Sequence, residues 1–169
     1  MDDDRRAFLT ELRTTPSPSG YEADGQRVWI DHVSGFADDV WTDDYGNAVA
    51  VHEGTTDASI AFGGHSDEIG YIVRTITDDG FLRIGSIGGA DRTVSKGQHV
   101  TVHAETPVAG VIGQTAIHLR DREDETHQDI SEQFVAVLGA EARELVEVGD
   151  PVTIETQVRP LYGDPVAVE

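Results

Sequence analysis

Cysteine is absent from the 169 residues, which excludes disulfide staples, a thiol nucleophile, an iron–sulfur cluster and cysteine-bound zinc. Lysine is almost absent as well. Lys96 is the only one, and Lys plus Arg number 12 against 32 Asp plus Glu, a formal net charge of −20. A negative field this strong argues against nucleic-acid phosphates and anionic membranes as partners. No apolar run approaches the roughly 18 residues of a membrane span. Met1-Asp2-Asp3-Asp4 is acidic where a secretory leader is basic and then apolar, so a cytoplasmic protein is expected. Aromatics make up only 7% of the chain, and few aromatics with high charge is a signature of disorder. Against disorder, Val, Ile, Leu and Phe together supply 42 residues, about a quarter of the chain and above the roughly 20% below which disorder is the default.

What is present is organised. The length suits one domain, or one domain carrying a smaller insertion, with enough chain to bury a core. The composition, rich in aspartate and valine and poor in lysine, is similar to that of proteins from salt-loving archaea; an ordinary acidic protein is the alternative. Asp2 to Arg13 reads as a helix with acidic residues at its start and a Phe8–Leu12 stripe. After the breaks at Pro16 and Pro18, Ser19 and Glu22 have the spacing of a capping box opening a second helix through Val28, Trp29, Val33 and Phe36. The period then becomes that of strands. Residues 40–42 and 48–51 flank Asp43-Asp44-Tyr45-Gly46-Asn47 as a hairpin, and Ala58-Ser59-Ile60-Ala61-Phe62 reads as a third strand, buried on both faces. The first 65 residues are thus expected to be an α/β layer of two helices and three strands.

From Ile69 onward the pattern is all-β. Hairpin strands are expected over 71–76 and 81–84 around Asp78-Asp79-Gly80, then at 99–102, 108–113 and 115–117. A polar loop over 120–132, a strand at 134–137, a short helix at 141–146 and a last strand at 151–158 complete it. Strands this short and this regularly spaced suggest a small barrel or sandwich. No internal repeat is visible, and the glycines do not fit a nucleophile elbow, a phosphate-binding loop or a calcium loop.

The residues that attract chemical interest are His65-Ser66-Asp67-Glu68, directly after the expected buried strand and Gly63-Gly64. Ligand sites gather where strands of open α/β sheets end. A histidine there can ligate a metal through one ring nitrogen, while a carboxylate two residues on orients a ligand or bridges the site. By itself His-x-Asp also fits a solvated loop. The other histidines, His32, His52, His99, His103 and His127, show no ligand spacing. His99 and His103 are four apart on β-like chain, about 13 Å and too far to share an ion. For His118, within Ile117-His118-Leu119, a structural or interface role is favoured.

A longer ordered match narrows the reading. Pro16-Ser17-Pro18-Ser19-Gly20-Tyr21-Glu22, Asp43 to Ala48, and Gly64-His65-Ser66-Asp67-Glu68-Ile69-Gly70-Tyr71-Ile72-Val73 occur in sequence. They are followed by Asp79 to Leu82, Ile87-Gly88-Gly89, Val108 to Gly113 and Ile117 to Leu119. This series resembles the N-terminal part of the tetrahedral aminopeptidases, metallopeptidase family 42, some of which carry endoglucanase labels. The resemblance implies a partial α/β catalytic domain (residues 1–68 with 161–169) and an inserted β-barrel dimerisation domain (69–160). It implies that His65 ligates one of two divalent metals, zinc or cobalt, and that Asp67 orients this histidine. A water bridging the two metals would attack the peptide, with a glutamate as general base. Homo-oligomers built from dimers through 69–160, dodecameric in the family, and peptide substrates are implied too. The family's remaining ligands and its base come from chain beyond the inserted domain, and the match ends at Glu169 as the catalytic domain resumes. These 169 residues alone are therefore expected to bind metal weakly or not at all and to be inactive. The alternatives are a non-catalytic dimerisation or assembly module and, less favoured, a glycoside hydrolase, for which no carboxylate pair stands out.

Overall fold

The structure, a computed structural model, describes residues 1–91, 94–114, 133–137, 141–162 and 166–168. The expected strand at 115–117, the polar loop at 120–132, His118 and His127 lie outside the described residues. The chain divides into two compact units, Met1–Asp67 with Thr156–Glu169, and Glu68–Glu155.

In the first unit, α1 (Asp3–Thr14) begins where Asp2 accepts a hydrogen bond from the Arg5 backbone N–H at 2.9 Å, with Asp3 and Asp4 in the first turn where a helix favours negative charge. The second helix, α2 (Ala23–Val33), packs on α1 through the Phe8 ring, stacked on His32 with centroids 3.7 Å apart. The hairpin β1 (Asp39–Thr42) and β2 (Ala48–Val51) pairs Trp41 with Val49. Its turn is held by Asp43, which accepts from the backbone of Tyr45 and Asn47 and from the Asn47 side chain, while Gly46 supplies a positive φ of 84°.

Two expectations fail in this unit. Ser19 and Glu22 do not form a capping box: the residue capping α2 is Glu22, whose side chain makes no capping bond and instead accepts from the Gly20 backbone N–H. Nor do residues 58–62 form a strand. They are irregular and exposed, Ile60 at 80% and Phe62 at 94%. A strand exists through its neighbours' backbone groups, and among the described residues none pairs with this run.

The second unit is a closed six-stranded antiparallel barrel. Its strands are β3 (Gly70–Ile76), β4 (Phe81–Ile87), β5 (His99–Val102), β6 (Val108–Gln114), β7 (Gln133–Val137) and β8 (Pro151–Ile154), in the order β3-β4-β7-β6-β5-β8 with β8 returning to β3. Alternation sends Tyr71, Val73, Leu82, Ile84, Val100, Val102, Ile112, Val135 and Val152 inward, each 3% exposed or less. At Gly110 a Cβ would collide with the Val135 side chain, so the β6 backbone approaches β7 more closely than any other residue allows. Arg74 is a bulge between the paired residues Val73 and Thr75. A short helix, α3 (Ala142–Leu145), closes one side with Ala142 and Val146 buried. The strand expected over 151–158 is interrupted: β8 ends at Ile154, and β9 (Val158–Pro160) pairs with β10 (Val166–Val168) in a separate sheet of the first unit. The Glu155 N–H donates to the His99 carbonyl and so continues the β5–β8 ladder one residue past Ile154, and the chain passes to the first unit from Thr156.

Candidate functional site

The site is built on irregular backbone. Residues 52–67 carry no regular secondary structure, and His65 near their end has a side chain 85% exposed. What orders it is a carboxylate. His65 Nδ1 lies 2.9 Å from Asp67 Oδ1 and 2.9 Å from the Asp67 carbonyl oxygen. Both are acceptors, so Nδ1 carries the proton and the lone pair is left on Nε2, the atom facing away from the pair. The second carboxylate oxygen of Asp67, Oδ2, accepts from the Ser19 hydroxyl at 2.5 Å. The Ser19 hydrogen bond is the main reason the Asp67 carboxyl titrates below its ordinary range, with His65 adding to it and partial desolvation opposing.

His65 and Asp67 are therefore brought together as a hydrogen-bonded pair. Sequence spacing did not reveal the third member, Ser19, which lies 48 residues away and whose nearest partner in sequence suggested a helix cap instead. Three further described histidines, His32, His52 and His103, are engaged elsewhere. His32 stacks on Phe8 in a shallow cleft between α1 and α2 that Asp4, Glu11 and Asp31 also line. His52 Nδ1 sits 3.1 Å from Asp38 Oδ2 on the β1–β2 hairpin. His103 Nε2 lies 2.9 Å from the Thr153 hydroxyl, and burial pulls its pKa down against the raising influence of Glu68. Among the described residues no group of three or more His, Asp or Glu side chains is placed to hold a metal ion. A divalent centre needs about three or four protein ligands. The described donors supply one imidazole hydrogen-bonded to a carboxylate, which by themselves do not make up such a centre.

Known proteins match this chain along most of its length. The model of the M42 glutamyl aminopeptidase family matches residues 46–168. The lysyl aminopeptidase of Pyrococcus furiosus is 32% identical over 143 residues, which cover 83% of this chain and 41% of that protein. The TET aminopeptidase of a marine-sediment Thaumarchaeota archaeon superimposes with a TM-score of 0.86 at 25% identity, over 96% of this chain and 48% of that one. The Pyrococcus horikoshii TET1 peptidase, described as assembling into a tetrahedron or a large octahedral shell, gives 0.75 at 31% identity, over 94% and 48%. The chain spans about 40% of the length of the curated relatives it matches. No described helix is long and apolar enough to cross a membrane. The ordered motifs from Pro16 onward and the family match over 46–168 agree, and the chain belongs to the M42 glutamyl aminopeptidase family.

Proposed function

We propose that these residues form the first part of a dinuclear metal-dependent aminopeptidase, in which His65 ligates one of the two metals through Nε2 and Asp67 fixes its tautomer. The observation that carries this reading is the Nδ1 geometry. A histidine whose Nδ1–H is held by a carboxylate presents a more basic Nε2 in a set direction, the recurrent arrangement behind zinc-bound imidazoles. Zinc or cobalt would supply Lewis acidity and an ionised water; the part played by this chain is to aim one ligand. The expected substrates are peptides with a free amino terminus. A non-catalytic assembly module is the competing reading, favoured by how few ligands gather among the described residues.

The barrel unit is proposed to be the dimerisation domain of a homo-oligomer, a role in keeping with the shells described for the Pyrococcus horikoshii relative. The setting proposed is a salt-rich cytoplasm. At −20 net charge, self-repulsion is relieved as the Debye length falls to about 3 Å at 1 M salt, so the melting temperature should climb steeply with KCl. A flat response would sink the halophilic reading.

The function is tested on the purified 169-residue chain with aminoacyl chromogenic substrates and added zinc or cobalt. No turnover is expected, and cobalt should broaden the His65 ring resonances. Turnover abolished by His65→Ala would show that further ligands lie within the chain. Ring resonances of His65 that ignore an excess of cobalt would favour the non-catalytic reading.

A further inference from the structure

Ser19 sits in a turn that nothing in the helix after it requires. The Tyr21 N–H donates to the Pro18 carbonyl at 2.8 Å, and Gly20 takes a φ of +92°, the left-handed value a type II turn demands at its third residue. Pro18 is fully buried, and Ser17 lies so close to α2 that a Cβ on Gly25 would collide with its hydroxyl. The loop is thereby seated on α2, and the Ser19 hydroxyl is delivered to Asp67 rather than to the helix end.

We propose that Ser19 is a positioning residue for His65, acting through the Asp67 carboxylate. The Asp67 side chain is 38% exposed and packing alone does not hold it. A carboxylate in that situation rotates between staggered positions and keeps its partners only while its oxygens are bonded. With Oδ2 tied to the Ser19 hydroxyl, Oδ1 stays 2.9 Å from His65 Nδ1, and the imidazole stays in the Nδ1–H form. Without that tie the carboxylate turns toward solvent. The ring is then left to the weaker backbone carbonyl of Asp67, and it drifts toward the Nε2–H tautomer that free imidazole favours in water, which occupies the nitrogen needed for a metal. Only a hydroxyl donor meets the requirement at position 19, because the acceptor is an anion and the group must be short.

The significance for metal binding rests on the proposed role of His65; the hydrogen-bond relay itself does not. The test uses the 169-residue chain labelled with 15N-histidine at about pH 8.5, where imidazole is neutral. Long-range proton–nitrogen spectra then report each ring's tautomer. His65, assigned by its loss in His65→Ala, should be mainly Nδ1–H. Ser19→Thr should keep that form, whereas Ser19→Val, isosteric with the threonine variant, should shift the tautomer ratio several-fold toward Nε2–H, with the barrel amide resonances unchanged in both. Equal ratios in the Thr and Val variants, or a wild-type His65 already in the Nε2–H form, would overturn the proposal. Substoichiometric cobalt on the same samples separates the two readings. A tautomer that follows Ser19 while cobalt ignores His65 upholds the relay and removes the metal role. Cobalt binding at His65 with no difference between Thr and Val retains the metal role and overturns the relay.

Discussion

The barrel unit and the unit that carries His65 are made from the same acidic, valine-rich chain, yet they bury their apolar residues very differently. Among the described residues, every buried large aliphatic side chain except Val33 belongs to the barrel unit. The first unit instead exposes Phe36, Trp41, Tyr45, Ile60, Phe62 and Tyr162, with Tyr45 at 95%. Closure is the physical difference. In the barrel β8 returns to β3, so each strand finds both neighbours within 68–155 and the inward side chains meet one another. Among the described residues the sheets of the first unit are two-stranded, so each of their strands has a single neighbour. A stretch of sequence that contains all its own pairing partners completes its core; one that does not leaves apolar side chains in water, however strong the local pattern.

The sharpest way to break this contrast is to truncate matched apolar residues. Leu82→Ala, at a site with no exposure, should destabilise the barrel by about 3 kcal/mol. Phe62→Ala should stay within about 0.5 kcal/mol. Urea unfolding of both variants measures the difference, and similar losses would mean that Phe62 is packed after all. Next in size is Gly110→Ala, which forces a methyl group against Val135 and should cost about 1–3 kcal/mol although it adds apolar surface.

The pH response should divide between the units as well. Tyr71 in the barrel has its phenol pushed above the ordinary 10.0 by burial, offset in part by its hydrogen bond with Ser95 and reinforced by the charge of Asp91. A raised folded pKa means stability that is complete below the unfolded value and lost as pH rises through the folded one. Barrel unfolding should therefore steepen above about pH 10 and flatten in Tyr71→Phe, as read from urea midpoints. In the barrel His103 behaves oppositely: its pKa is lowered by burial, so its contribution is whole above the ordinary histidine range and declines as pH falls below it. In the first unit Asp67 has a lowered carboxyl pKa, so its contribution is present above the unfolded value of 3.8 and lost as pH falls through the folded one. That acid-side slope should be shallow in wild type and shallower still in Ser19→Val. A small effect also belongs to the exposed ion pair of Arg143 with Asp78 at 2.6 Å. Arg143→Ala should cost roughly 0.5–1 kcal/mol, mostly through the guanidinium's bonds to the Ile76 and Thr77 carbonyls.

Much of this molecule is legible in the chain because its causes are local. The acidic start of α1, the Asp43–Asn47 turn and the Asp78-Asp79-Gly80 hairpin depend on residues a few positions apart, and each forms where the pattern puts it. Alternation likewise marks the inward residues of β3 and β4, and His65 stands out beside Asp67 because the two are only two residues apart. Tertiary structure decided the rest. Whether 58–62 becomes a strand depends on a neighbour, and so does the end of β8, whose pairing runs as far as β5 offers a partner at His99. Ser19 shows the limit most plainly. Its local sequence context is that of a helix cap, but a hydroxyl bonds the best acceptor within reach, and only the folded chain brings an aspartate 48 residues away into that position.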